Sequence, residues 1–181
     1  MNFQFNVNLN DSDYLECNKF WMFRSPYGKK QIITFRLIIA ALFAVIIIVS
    51  LSAGDFSLNS FIEIIPFSIG CLLLQLFLTR IFSWSLKKQI KSLKKSGKVG
   101  YSPCSVLEFS KDSFCETTPD NKTESKYSAI ERISIVDNKV IYIHVNNIMS
   151  YIIPLSCFES KEQFNDFLDF IKTKCTNIDI Y

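Results

Sequence analysis

The chain opens with apolar and polar residues in alternation: Phe3, Phe5, Val7 and Leu9 are separated by Gln4, Asn6 and Asn8. That period of two predicts a strand with one buried face. Asn10, Asp11, Ser12 and Asp13 then supply turn and capping chemistry. They predict a short, aromatic-rich helix over Tyr14 to Phe23, broken by Ser25, Pro26, Tyr27 and Gly28. Beyond this point the alternation disappears. Leu37 to Ala53 is a run of 17 residues without a charge, extended on its N-terminal side by Ile32, Ile33 and Phe35. A second run, from Phe61 to about Trp84, contains Glu63, Pro66, Gly70, Gln75 and Arg80 but no charge between Ile64 and Leu78. At about 1.5 Å per residue, roughly 20 helical residues cover a hydrocarbon core of about 30 Å, so each run is long enough to cross a bilayer.

After a linker around Gly97 to Pro103 the pattern shortens into β-like units. Strands are expected at about Cys104 to Phe109, Ser113 to Thr118, Glu124 to Ser128, Ile130 to Val136, Lys139 to Asn146 and Ser150 to Leu155. The links carry turn residues: Lys111 and Asp112, Pro119 to Lys122, Asp137 and Asn138, Asn146 and Asn147. Asp-Asn and Asn-Asn pairs tolerate the positive φ of tight hairpins, which predicts antiparallel neighbours. A last helix follows. Ser160 is placed to cap it, and Phe164, Phe167, Leu168 and Ile171 recur at i, i+3, i+4 and i+7, with Lys161, Glu162, Asp166, Asp169 and Lys172 on the other side. The layout is α+β: a two-span helical hairpin, then a small antiparallel β domain capped by an amphipathic helix. The expected divisions are 1–31, 32–84 with spans at about 35–53 and 61–84, a juxtamembrane helix and linker at 85–100, and 101–181.

Two other accounts of the apolar runs fit less well. Buried helices of soluble proteins seldom stay apolar all round for this length. A cleaved signal peptide is not expected, because about 35 residues precede the first run and no small-residue cleavage site follows it.

Charge adds an orientation. Lys19, Arg24, Lys29, Lys30 and Arg36 precede the first run, and Arg80, Lys87, Lys88, Lys91, Lys94, Lys95 and Lys98 end or follow the second. The connection from Gly54 to Ser60 holds Asp55 and no base. The positive-inside rule then predicts a cell-membrane protein with both termini in the cytoplasm. The net charge of +3 conceals an uneven distribution: residues 80–98 carry seven bases and no acid, whereas residues 101–181 carry eight bases and twelve acids. An acidic globular part excludes the usual basic footprint of nucleic-acid binding. Lys87, Lys88, Lys91, Lys94, Lys95 and Lys98 are instead candidate contacts to anionic lipid headgroups, at roughly 1 kcal/mol per base near such a surface. Leu86, Ile90 and Leu93 recur between them, so the second helix is expected to continue as an amphipathic stretch along the headgroups. The same lysines also satisfy a simpler reading as topology anchors.

Candidate chemistry is sparse. Cys17, Cys71, Cys104, Cys115, Cys157 and Cys175 contain no CxxC pair and fall on the cytoplasmic side or in a span, so neither a disulfide framework nor a metal site is expected. His144 is the sole imidazole, and its alternation with Ile141, Ile143 and Val145 predicts a solvated strand position beside Val140 and Tyr142. Asp166 and Asp169 fall on the exposed side of the last helix, and the five glycines form no phosphate loop. No enzyme and no cofactor are expected. Within the spans, Gln75 is placed to bond the partner helix, and Ala40 and Ala44 offer a small-residue face to the Gly70 region.

Asp13, Tyr14, Leu15 and Asn18, then Ser25, Pro26, Gly28 and Lys29 before a first span, resemble the YcxB-like family of bacterial membrane proteins. So does a β-rich tail with Tyr127, Ser128, Ala129 and Ile130, then Ile152, Ile153 and Pro154 and a Phe-rich helix. The resemblance covers nearly the whole chain, although Tyr127 stands where members often have Trp. It implies a C-terminal domain similar to pleckstrin-homology folds, of the kind that serves as an interaction or regulatory module. The expectation for function is therefore a membrane-anchored module binding a protein or lipid, with an oligomeric channel or transporter component as the alternative.

Overall fold

A computed structural model describes residues 2–53, 58–97, 99–145 and 149–181. The connection holding Asp55, the base Lys98 and the Asn146–Asn147 turn lie outside the described residues, as does the side chain of Glu63. The chain forms two compact units, residues 1–17 with 99–181, and residues 18–98.

The first unit is a β domain. Strand β1, Phe3–Asn8, pairs antiparallel along its whole length with β2, Cys104–Phe109, in a register that sets Phe3 opposite Phe109, Phe5 opposite Leu107 and Val7 opposite Ser105. Strands β3, Ser113–Thr117, and β4, Lys122–Lys126, complete a four-stranded sheet in the order β1-β2-β3-β4. Its β4 edge alternates Lys122, Glu124 and Lys126 outward, the charged edge that discourages pairing with another chain. The second sheet consists of β5, Arg132–Val136, β6, Val140–His144, and β7, Ser150–Pro154, with β8, Ile178–Ile180, added parallel to β5. Asp137 and Asn138 turn β5 into β6 with φ of 51° and 50°, the doubly positive geometry of a two-residue hairpin. Between β7 and β8 lies the long helix of this unit, Lys161–Lys172. Its N-cap Ser160 accepts a hydrogen bond from the Gln163 amide through its side chain.

One core fills the space between the two sheets and this helix. Phe5, Leu107, Phe109 and Phe114 come from the first sheet, Ile133, Ile141, Ile143 and Ile153 from the second, and Phe167 and Ile171 from the helix. The Phe167 ring meets those of Phe5 and Phe109 edge-on, each at 5.0 Å between centroids. Tyr127 is buried beside this core, and its hydroxyl donates to the Ser110 carbonyl at 2.7 Å. A Trp ring would fill the same kind of slot but could not reach that acceptor in the same way.

The expected strands between Cys104 and Leu155 are all present, with ends shifted by a few residues. The division of the chain is different. The strand placed in a separate N-terminal segment, 1–31, belongs to the β domain, and the hairpin is an insertion between two neighbouring strands of one sheet. A period of two identifies a strand but not its partner, and here the partner lies beyond both long helices. The closing strand β8 was not anticipated either; three residues are too few to show a period.

The second unit, from Asn18 to Lys98, contains the two long helices and the turn that leads into them. A helix begins at Asp11–Lys19, passes into a five-residue π-helical turn, Phe20–Arg24, and stops at Ser25 with extended backbone. The break is narrower than expected. Pro26 does not end structure; it starts the first long helix, Pro26–Ala53, because proline suits a first helical position. The Ser25 hydroxyl accepts from the Gly28 amide at 3.0 Å, and a Cβ at Gly28 would collide with the carbonyls of Trp21 and Met22. Only glycine allows that approach. The second long helix, Leu58–Lys95, runs through Pro66 for 38 residues, about 57 Å. It ends before Gly97, which takes a φ of 72°.

The two long helices meet side by side: the Gln75 amide donates to the Arg36 carbonyl at 3.0 Å, and the Phe35 and Phe82 rings lie 5.6 Å apart. Gly70 has nothing within 4 Å of where a Cβ would stand, so the expected small-residue packing there is absent. Polar Gln75, not glycine, holds the pair at this level. Leu37, Ile48, Phe67 and Leu72 are each 62–64% exposed. Ser52 and Ser68 return their hydroxyls to the carbonyls of Ile48 and Ile64 one turn back, which leaves little polar surface along the apolar stretches.

Candidate functional site

The basic stretch lies where the sequence placed it, on the last turns of the second long helix. Lys87, Lys88, Lys91, Lys94 and Lys95 are exposed, and Leu86, Ile90 and Leu93 are half-buried among them. The helix does not break between apolar run and basic stretch, so the two lie on one continuous helix. Positions 87, 91 and 94 share a face by their spacing of four and three. The last two bases sit at the C-terminal end of the helix, where its dipole favours cations. Lys88 lies over the Trp84 ring at 5.2 Å from the ring centroid, an arrangement that fixes the ammonium against an aromatic face. Lys98 falls outside the described residues.

Arg80 and Lys87 join Thr79, Ser83 and Trp84 around a recess of about 290 Å³ that is also lined by Phe23 of the π-helical turn. Sequence reasoning missed this assembly. The aromatic run Phe20, Trp21 and Phe23 beside the second span was its signal, yet nothing in spacing alone brings residue 23 to residue 83.

His144 is not a solvated strand residue. It is 1% exposed and sits between two hydroxyls, with Nδ1 2.9 Å from Ser150 Oγ and Nε2 3.1 Å from Ser134 Oγ. Its strand face also carries Tyr142 and Ile152, both buried. Alternation distinguishes two faces without saying which one meets water, and here neither does. Burial, reinforced by the nearby Arg132 charge, lowers the His144 pKa to about 4, so the ring is neutral at pH 7. The three residues clip β5, β6 and β7 together. A serine that is 1% exposed, as Ser134 is, offers no path for a substrate to a nucleophile. Cys17 is buried too, and desolvation pushes its thiol up to about 12, which keeps it protonated and unreactive. All six cysteines are free thiols.

These features define an α+β protein: a two-sheet domain closed by a helix, interrupted by two helices long and apolar enough to cross a membrane. Within it, residues 109–171 match the family model described as YcxB-like protein. The match runs from the end of β2 to the last buried turn of the closing helix. Comparison with curated proteins and with solved structures gives no match.

Proposed function

We propose that the chain is a membrane-anchored interaction or regulatory protein. In this reading the two long helices cross the cell membrane, both termini are cytoplasmic, and the YcxB-like domain presents a surface to a protein or lipid at the inner face. The observation that carries the reading is the pairing of β1 with β2. One strand precedes the hairpin and the other follows it, yet they share six register positions. The chain must therefore leave and return on the same side of any barrier, which two crossings satisfy and one does not. Apolar side chains more than half exposed along both helices support an apolar surrounding. The bases flanking the hairpin favour the cytoplasm for its open end.

For the domain, four strands, then three, then a closing helix support a pleckstrin-homology-like reading, although a fold does not fix a partner. Lys87 to Lys95 would hold the domain near anionic headgroups. A channel or transporter role has less support, because the side-chain amide of Gln75 is already bonded to the Arg36 carbonyl.

Labelling of intact cells with a membrane-impermeant maleimide tests the arrangement. Cys104 is exposed on β2 and should react only after permeabilisation, whereas an Asp55→Cys variant should react at position 55 at once. Labelling of Cys104 from outside would overturn it.

A further inference from the structure

The recess of Phe23, Thr79, Arg80, Ser83, Trp84 and Lys87 differs in chemistry from the rest of the hairpin. Thr79, Ser83 and Lys87 follow one another at intervals of four, so two hydroxyls and an ammonium line up on one ridge of the helix. Arg80 and Trp84 form the neighbouring ridge at the same interval. Arg80 is held over the Phe77 ring at 5.5 Å. From Ile64 to Lys95 the helix has no acid, and neither Arg80 nor Lys87 makes an ion pair among the described residues. Two cations and two hydroxyls thus face one recess with no anion in it. Its volume of about 290 Å³ falls just below the range for ligand pockets, about 300–1,000 Å³, as suits a headgroup rather than a whole ligand.

Its height along the helix is equally specific. Counting about 20 residues from Phe61 ends the hydrocarbon core near Arg80, which sets Ser83 to Lys87 among the phosphates. We infer that this recess binds the headgroup of a single anionic phospholipid. Arg80 and Lys87 hold the phosphodiester, Thr79 and Ser83 donate to its remaining oxygens or to headgroup hydroxyls, and Phe23 and Trp84 flank the glycerol and the upper acyl chain. A zwitterionic lipid is disfavoured, since its own ammonium would enter beside two fixed cations. The assignment rests on the membrane reading above but goes beyond it, because a general attraction of the Lys87 to Lys95 stretch for a charged surface needs neither hydroxyls nor a recess.

The test uses the full chain in a nonionic detergent, titrated with phosphatidylglycerol, phosphatidylcholine or inorganic phosphate and followed by native mass spectrometry. One phosphatidylglycerol per chain is expected, favoured at least tenfold over phosphatidylcholine. Arg80→Gln with Lys87→Gln should remove that preference. Thr79→Val with Ser83→Ala, which leaves every charge in place, should reduce it severalfold, while Lys94→Gln with Lys95→Gln should leave it within twofold. Equal losses in the Lys94/Lys95 and Arg80/Lys87 variants would overturn the site in favour of diffuse charge. So would inorganic phosphate binding as tightly as the lipid. A chain that needs no detergent overturns the membrane reading and this site together; one that needs detergent but binds both lipids alike overturns the site alone.

Discussion

Ile133, Ile141, Ile143 and Ile153 in the β domain are 0% exposed, whereas Ile38, Ile48 and Ile62 in the hairpin are 51–62% exposed. The side chain is the same and the surroundings are opposite. In the first sheet of the β domain apolar residues alternate with polar ones, so β1 and β2 turn a single face to the core. The apolar runs of β6 and β7 are only three or four residues long, short enough for neighbouring elements to cover both faces. In the hairpin apolar residues run without interruption, so no neighbouring element could cover them all. The length of an uninterrupted apolar run thus separates isoleucines that protein covers from isoleucines that protein leaves exposed. The inserted position of the hairpin follows from the same contrast, since a β sheet can close over a long gap in sequence as long as its buried faces still match.

Truncating one apolar side chain to alanine in each region tests the contrast. Phe5→Ala removes a ring from the centre of the β core and should cost about 3–5 kcal/mol of stability, measured by denaturant unfolding of the detergent-solubilised chain. Ile48→Ala, at a site 62% exposed, should change that unfolding by less than about 0.5 kcal/mol. Comparable losses at the two positions would break the distinction.

A smaller effect is expected from pH. His144 has its folded pKa lowered to about 4 from the ordinary 6.5, so the unfolded chain takes up the proton first. Its contribution to stability is complete above pH 6.5, declines as pH falls toward 4 and is constant below. The slope is at most ~1.4 kcal/mol per pH unit and the total about 3 kcal/mol. His144→Gln should flatten this part of the stability profile relative to the parent chain. An unchanged slope would mean that the imidazole is not buried neutral between Ser134 and Ser150.

The β domain was legible wherever the signal was local. Strand alternation located Cys104–Phe109, Asp137 and Asn138 marked a hairpin through their tolerance of positive φ, and Ser160 marked a helix start through its hydroxyl. The basic stretch was legible for the same reason, as lysines on a continuing helical period. What stayed hidden required contacts distant in sequence: the pairing of Phe3–Asn8 with a strand beyond the hairpin, the short parallel strand after the closing helix, the second buried face that takes in His144, and the approach of Phe23 to Ser83. The π-helical turn at Phe20–Arg24 also escaped, because one extra residue in a turn leaves no pattern of its own.

If lipid covers the two long helices, the chain behaves as an integral membrane protein in alkaline carbonate extraction of membranes from cells making the full chain. The chain should remain in the pellet at high pH, where peripheral proteins are released, and should leave it only when detergent is added. Recovery of a monodisperse chain in the carbonate supernatant would contradict the account.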